Sequence, residues 1–395
     1  MSEGQKEVCP VCGAADLRDV LTIPRVPVCC NRLYADREEA LRADGDTIAL
    51  VLCRNCDHCY NLAFREDRLV YSGEYENSLY FSARFREYAD SLVARLVKEY
   101  DLHNKDLVEI GCGSGEFLAS LCQAGPNRGI GFDPGYREPD GTIEESAAME
   151  IHSTAFSEQD SEIPADFVCS RHVLEHLPQP FDLLDLLRKT LARREGVGLY
   201  LEVPNAMYTL RDHGIWDLIY EHFSYFTIPS LVRLCTRAGF RVIKIQEAYE
   251  GQFISADLVS GEEQGCRPDA PGLPGEQTLV AAEAFAKVYK EKTGYWQTYL
   301  NEAATRKESV VVWGAGSKGV TFLNVLNTRN QIEYIVDVNP RKTGKHVPCS
   351  GQEVILPETL KSCPPDRVIL MNPVYKNEIA AHLEGMGISA RVDLA

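Results

Sequence analysis

Twice along this chain a short apolar run breaks into a glycine-rich turn and then into a helical pattern. The first copy is DLVEIGCGSGEFLASL, with Leu107 to Ile110 as a strand, Gly111, Gly113 and Gly115 in the turn, and a helix from Glu116. The second is SVVVWGAGSKGVTFLN, with Gly314, Gly316 and Gly319. Glycine permits the tight strand-to-helix turn and lets a ligand approach the backbone. Each copy leads to a second strand that ends in an acid. RGIGFDP reaches Asp133, 22 residues after Gly111, and IEYIVDVNP reaches Asp337, 23 residues after Gly314. That spacing is what a βαβ unit requires, so the chain is expected to be α/β with two Rossmann-like domains. An acid at the end of the second strand can accept hydrogen bonds from ribose hydroxyls.

The two turns differ in chemistry. A dinucleotide turn wants Gly-x-Gly-x-x-Gly, with helix-terminus amides on the pyrophosphate. Residues 314–319 fit that form; residues 111–115 bring the third glycine one residue early and follow an acid, Glu109. An acid there can bind an amino-acid ammonium group. This suits the methionine end of S-adenosylmethionine, which carries no phosphate. The expected contacts to that cofactor are Tyr80, Glu109, Gly111, Cys112, Gly113, Gly115, Asp133 and Pro134. The second turn stays open between a dinucleotide site, a scaffold without ligand, and a half-domain that holds the nucleotide of a substrate through Gly316, Ser317 and Lys318.

Ahead of these domains stand two Cys-x-x-Cys pairs, Cys9 with Cys12 and Cys53 with Cys56. Each pair offers two thiolates to one ion, and two pairs complete a tetrahedron, so a structural zinc is expected in residues 1–70. A hairpin or helix must fill the gap, and residues 33–46 suit that insert. Cys29, Cys30 and Cys59 read as packing residues. From 71 to 102 a linking helix is expected, since Phe81, Phe85, Tyr88, Leu92 and Leu96 recur at three- and four-residue intervals. Its lead-in carries Tyr71, Tyr75 and Tyr80, one of which is a candidate to reach the active site.

The first Rossmann-like domain is expected over 103–255. Within it ADFVCSRHVLEHLPQP supplies Arg171 and His172, expected beside the cofactor, and His176, a candidate for substrate contact. Residues 197–203 form a strand leading into Asn205, a second candidate for substrate contact. A helix at 229–238 and a strand at 241–246 close the sheet. Before them lies Tyr220-Glu221-His222, with Tyr225 close by. A histidine near a carboxylate has tuned basicity and a fixed ring, which suits general-base work; a capping cluster is the alternative. Residues 261–280 read as an exposed loop, 278–303 as a long helix, and 256–395 as the second Rossmann-like domain.

Composition narrows the partners. With 395 residues, 45% of them hydrophobic and 25% charged, the chain suits two or three globular domains. A net charge of −17 argues against a nucleic-acid partner. The polar start MSEGQKEVCP and the lack of an apolar run of about 18 residues predict a cytoplasmic protein with no membrane partner.

EIGCGSG, GFDP and ADFVCSRHVLEHLPQP resemble class I methyltransferases. The whole order resembles the zinc-containing sugar C-methyltransferases of deoxysugar biosynthesis. The resemblance is specific in the four cysteines, EIGCGSG, YEHFSYF, GAGSKGVTFLN and DVNPRKTG, and it spans essentially the full length. It implies a C-terminal domain that helps hold a nucleotide-linked sugar rather than a redox cofactor. It also implies a sugar ketone at C4 that acidifies the C3 proton, His222 as the base and Glu221 as its partner. His176 and either Tyr75 or Tyr80 would touch the sugar or the enolate oxygen. One departure is that Tyr220 directly abuts Glu221, without the family's spacer, so Tyr225 is a candidate replacement. The departure suggests a sister branch with another acceptor. Two alternatives follow: a C-, O- or N-methyltransferase for another small molecule, and an oxidoreductase using Gly314 to Asp337.

Overall fold

The computed structural model describes residues 8–69, 75–137, 148–191, 197–260 and 275–395. Its N-terminal part is a small antiparallel sheet. Strand β1 (Leu17–Pro27), a short helix α1 (Arg37–Leu41), β2 (Gly45–Cys53) and β3 (Cys59–Asn61) follow in order. The expected insert at 33–46 is thus α1 with the loop into β2. Cys30 and Cys59 are buried, as packing residues should be.

Helix α2 (Ala83–Tyr100) then leads into the second part. Ser82 caps it by accepting from the Phe85 amide, and Asp101 ends it in the left-handed region at φ 48°. Its buried stripe is Phe85, Ala89, Leu92, Val93, Leu96 and Val97. Burying each large apolar side chain of that stripe contributes roughly 1.5–3 kcal/mol.

The following elements are β4 (Asp106–Ile110), α3 (Glu116–Ala124), β5 (Arg128–Phe132), β6 (Met149–His152), β7 (Phe167–Arg171), α4 (Pro180–Leu191) and β8 (Gly198–Pro204). After them come α5 (Ala206–Leu210), β9 (Ser224–Tyr225), α6 (Ile228–Arg237), β10 (Phe240–Ala248) and β11 (Phe253–Ser260). The sheet order is β10-β11-β8-β7-β4-β5-β6. The strands β6-β5-β4-β7-β8 run parallel, and β11 pairs antiparallel with both β8 and β10. This is the class I methyltransferase fold, and its order reverses beside β4, the point at which open α/β sheets bind their ligands. Two sequence expectations are corrected. The strand at 241–246 does not close the sheet alone, because β11 inserts beside it. The boundary expected at 255/256 falls inside β11, whose residues Ile254 to Leu258 are all buried between β8 and β10 in the same sheet.

Strand β9 belongs to neither edge of that sheet. It pairs with β3, so the small N-terminal sheet runs β1-β2-β3-β9. A loop of the larger domain is therefore the last strand of the cysteine module.

The third part opens with α7 (Gly275–Thr305), longer at both ends than the helix expected at 278–303. The rest of the loop expected at 261–280 lies outside the described residues. Then come β12 (Val310–Trp313), α8 (Ser317–Val325), β13 (Tyr334–Val336), β14 (Glu353–Ile355), β15 (Arg367–Leu370), α9 (Lys376–Gly385) and β16 (Arg391–Leu394). Its sheet is all parallel in the order β14-β13-β12-β15-β16. Gly319 is needed for close packing of α8 on this sheet: a Cβ there would meet the Gly314 carbonyl oxygen at 2.0 Å.

This domain is bolted to the others by specific polar contacts. Glu378 of α9 caps α2, accepting from Ser82 Oγ at 2.7 Å and from the Ala83 amide at 3.2 Å. Gln252 and Asn372 exchange two side-chain hydrogen bonds at 3.0 and 2.9 Å. Among the described residues no helix is long and apolar enough to cross a membrane.

Candidate functional site

The β4–α3 turn and the loop after β7 pack on each other. Gly111 has φ 72°, and a Cβ there would meet Val173 Cγ2 at 2.1 Å. A Cβ on Gly113 would meet nothing within 4 Å, so the turn is open where a ligand would lie against it. Glu109 is only 2% exposed, and its Oε2 has no hydrogen-bond partner. Burial lifts this carboxyl to about 8, against the opposing pull of Arg171. A buried acid with an unpartnered oxygen fits an incoming ammonium group. Asp133 sits at the end of β5, where Oδ2 accepts from the Gly113 amide at 2.9 Å and Oδ1 from the Gly135 amide at 2.7 Å. Each oxygen keeps a second lone pair for a ribose hydroxyl.

The remaining residues expected at the cofactor divide. The Tyr80 hydroxyl is buried without a hydrogen bond, close to Arg171 and Glu109, which suits a place at the cofactor. Gly115 shapes the start of α3 at φ 87°. Cys112 is buried and packs toward Gly131, where a Cβ would meet its Sγ at 2.6 Å. Pro134 is exposed in the turn. Arg171 is spoken for: its Nε and Nη2 donate to Glu202 Oε1 at 3.0 and 2.9 Å, and its guanidinium lies 4.3 Å from the Phe117 ring centre. In the fold it serves Glu202 as a buried counter-ion. Glu202 also receives the hydroxyls of Tyr88 and Tyr200. It went unread in the sequence, although a lone acid inside VGLYLEV was the available signal. His172, at φ 56°, is wedged between Glu175 at 3.4 Å and Glu202 at 3.3 Å. Burial opposes charging of its ring, but the two carboxylates outweigh it and raise the ring to about 9.

A second cluster forms where that loop meets the segment before β9. One ligand atom from each of Glu175, His176 and His222 lies within 4.8 Å of the others. The rings of His176 and His222 meet edge to face with centres 5.0 Å apart. His176 Nδ1 is 3.0 Å from the Glu221 carbonyl oxygen, which can only accept, so Nδ1 carries hydrogen and Nε2 is the basic nitrogen in the neutral ring. The His222 Nδ1 is buried without a partner. Burial, with His176 adding to it, pushes the His222 ring down to about 3, so it is uncharged at neutral pH.

The expected Glu221–His222 pairing is not present. Glu221 Oε2 accepts from the Cys30 amide at 3.0 Å, and Oε1 has no hydrogen-bond partner. Burial raises this carboxyl to about 7. Glu221 and His222 lie in the turn before β9, where the His222 amide donates to the Ile219 carbonyl; Glu221 faces the N-terminal module while His222 faces the loop after β7. Tyr75 accompanies Glu221: its hydroxyl accepts from Asn31 Nδ2 at 3.2 Å. Tyr71 lies outside the described residues.

Three more candidates turn out to be structural ties. The Tyr220 hydroxyl accepts from the Arg65 amide at 2.9 Å and donates to Asp46 at 3.4 Å. Tyr225 donates to the Ile219 carbonyl at 2.8 Å, although its ring stands 6.0 Å from that of His222. Asn205 caps α5, and its Nδ2 donates to Gly251 O at 2.8 Å and to Glu247 at 3.2 Å.

In the C-terminal domain, Gly316 caps α8 and Ser317 opens it. Lys318 does not lie free for a phosphate. Its Nζ bonds both oxygens of Asp217 at 2.6 Å and Gln252 Oε1 at 3.2 Å, joining the two Rossmann-like domains. Its charge still reaches His222 and depresses that ring further. Asp337 is closed off. Oδ2 accepts from the Ala315 amide at 2.8 Å and lies 3.4 Å from the buried Lys342 Nζ, while Oδ1 accepts from the Asn339 amide at 2.8 Å. An acid neutralised and covered in this way is a poor ribose acceptor. Titration with NAD or NADP, followed by fluorescence, should therefore show no saturable binding in the micromolar range. Saturation by either one, with reduction of a ketosugar, would restore the oxidoreductase reading.

The four N-terminal cysteines converge. The sulfurs of Cys9, Cys12, Cys53 and Cys56 lie within 4.8 Å of one another, with Cys9–Cys56 and Cys12–Cys53 each at 3.6 Å. A zinc ion with Zn–S bonds of about 2.3 Å sets tetrahedral sulfurs roughly 3.8 Å apart, so the set fits zinc.

A family model described as a methyltransferase domain matches residues 80–245. A second, described as a C-methyltransferase C-terminal domain, matches residues 275–389. The chain is 26% identical over 388 residues to the C-methyltransferase NovU of Streptomyces niveus, covering 94% of this chain and 90% of that protein. Among solved structures, magnesium protoporphyrin IX methyltransferase from Synechocystis PCC 6803 with bound SAH aligns at a TM-score of 0.35 and 15% identity, over 47% of this chain and 89% of that one. The 1,6-didemethyltoxoflavin-N1-methyltransferase of Burkholderia thailandensis aligns at 0.37 and 14%, over 52% and 96%.

Proposed function

Because this chain is an S-adenosylmethionine-dependent methyltransferase of the C-methyltransferase family, we propose that it methylates a carbon next to a ketone in a nucleotide-linked 4-keto-deoxysugar. The observation that carries this reading is the His176–His222 cluster, formed where the loop that packs against the cofactor turn meets the segment before β9. An uncharged imidazole with a buried, unpartnered nitrogen offers a lone pair to a proton, and the burial that keeps it uncharged also lowers its basicity. Methylation of oxygen or nitrogen asks less of such machinery.

S-adenosylmethionine supplies the methyl group on a sulfonium centre. Glu109 holds its ammonium group, Tyr80 lies alongside, and Asp133 holds its ribose. His222 removes the proton beside the ketone, with His176 at the sugar or enolate oxygen. Positioning of the two partners contributes roughly 7–11 kcal/mol for well-oriented reactants. The four cysteines hold a structural zinc, and the C-terminal domain helps hold the nucleotide of the sugar.

The function is tested by incubating enzyme, ketosugar and S-adenosylhomocysteine in heavy water. The acidic carbon-bound proton should exchange without methyl transfer. Absence of exchange, with a product methylated on oxygen or nitrogen, would overturn the carbon-acceptor reading. The cofactor assignment has its own test. Asp133→Ala removes the acceptor of two hydrogen bonds to a charged group, worth about 1.5–3 kcal/mol each, so affinity for S-adenosylhomocysteine should fall at least about tenfold by calorimetry. Unchanged affinity would count against Asp133 at the ribose.

A further inference from the structure

Glu175 has no part in the roles assigned so far, and its setting is unusual for a carboxylate. It is 1% exposed, and neither oxygen has an aligned hydrogen bond among the described residues. Three imidazoles surround it. His172 Nδ1 lies 3.4 Å from Oε1, and His176 and His222 come within 4.8 Å. A buried charge with unsatisfied oxygens is costly, and such groups concentrate where a reaction later creates the opposite charge.

Resting on the carbon-methylation reading, we propose that Glu175 is a positioning residue that aligns His222 and balances its charge as it becomes an imidazolium. The substrate C–H bond breaks, its electron pair passes onto the ketone oxygen as an enolate, and the proton goes to His222. The enolate carbon then bonds the methyl carbon as the C–S bond breaks, and that bond's electrons stay on sulfur. The positive charge first carried by the sulfonium thus ends on His222. A single fixed carboxylate between the rings balances that charge after transfer, as the buried acid of a Ser-His-Asp triad does for its histidine.

The electrostatic surroundings agree. Burial opposes ionisation of Glu175, but the His172 contact outweighs it and holds the carboxyl below the ordinary range. Facing the cluster from the other elements are the Arg171–Glu202 pair behind His172, and Lys318 of α8, which works against charge on His222. Glu221 is turned to Cys30. Glu175 is therefore the acid placed to stabilise a charged His222.

The test uses Glu175→Gln and Glu175→Asp in the full-length zinc-loaded enzyme, with dTDP-4-keto-6-deoxyglucose as the probe ketosugar. In E175Q both kcat and proton exchange should fall about 10²-fold, at the low end of what acid–base catalysis contributes, with KM and S-adenosylhomocysteine affinity within about threefold of wild type. Removing the negative charge lowers the His222 pKa in the complex, so the acid limb of the kcat profile should move to lower pH. E175D should recover part of the rate. Histidine ring titration by NMR in the S-adenosylhomocysteine complex needs no sugar, and the His172 midpoint should drop in E175Q. Wild-type rates with an unmoved limb, an unmoved His172 midpoint, or cofactor affinity lost in parallel with rate would each overturn the proposal. So would a second metal ion that is present in wild type and lost in E175Q, because Glu175 would then be a ligand. If His222→Ala still exchanges the proton, the base assignment fails. If His222→Ala stops exchange and E175Q changes nothing, only the role of Glu175 fails.

Discussion

His222→Ala should lower turnover by about 10²–10⁴-fold while leaving S-adenosylmethionine binding intact. The separation of effects follows from where the ring sits. His222 lies on the segment before β9, whereas Glu109, Asp133 and the glycine turn belong to β4, β5 and the start of α3. Removing the imidazole takes away a proton acceptor and no cofactor contact. Because the ring is held down to about 3 by burial and by His176, it is uncharged across the neutral range. The resting variant should therefore lose no charge interaction and fold as before. In heavy water with S-adenosylhomocysteine, wild type should wash out the acidic proton and the variant should not. Persistent exchange in the variant would pass the role to His176, whose ring is oriented by the Glu221 carbonyl. Glu221→Gln should cost less. Its carboxylate anchors the loop to Cys30 rather than touching His222, so the amide keeps one acceptor oxygen for that bond.

The sequence disclosed what depends on local pattern. Both glycine turns, their acids and the paired cysteines are short-range signals, and all three parts of the chain were placed from them. What it hid are contacts between parts. Tyr220, Glu221 and His222 are consecutive, and their grouping suggested one functional cluster. Instead Tyr220 reaches Arg65, Glu221 reaches Cys30, and only His222 faces the loop after β7. The direction in which each side chain leaves this turn is set by the packing of the segment on the N-terminal module and on the loop after β7, which no local pattern reports. Lys318, in its glycine turn, is a candidate contact to a substrate's nucleotide by local pattern; docking of the C-terminal domain gives it Asp217. Glu175 and Glu202 were overlooked for a different reason. Each is one acid in an apolar stretch, and its importance rests on partners that come together only in the fold.

Removing zinc should abolish methyl transfer while sparing the cofactor site. Strand β3 starts three residues after Cys56 and pairs with β9, matching Cys59 to Tyr225 and Tyr60 to Ser224. Further ties hold the same segment: the Asn61 amide donates to Phe223 O at 2.8 Å, Thr227 Oγ1 donates to Asp57 O at 3.1 Å, and Cys30 holds Glu221. The cysteine cluster therefore fixes both ends of the segment that carries His222. Structural zinc contributes apparent folding free energy of about 10–16 kcal/mol in small domains, far more than so small a sheet gains from its own core. Without it β3 should fray, β9 should lose its partner, and His222 should drift from the reacting carbon. A displacement of about 1 Å costs on the order of 10²-fold in rate, and loss of the strand should cost more. Protein purified without added metal should contain one zinc per chain by elemental analysis. Chelation, or Cys56→Ser, should remove the activity while S-adenosylhomocysteine affinity stays within about threefold, because Glu109 and Asp133 lie in a sheet that needs no zinc to pair. Readdition of zinc to chelated protein should restore turnover. Soluble protein that is fully active with no bound zinc would refute the metal assignment, and cofactor affinity lost together with activity would show that the module supports the whole domain rather than the catalytic segment.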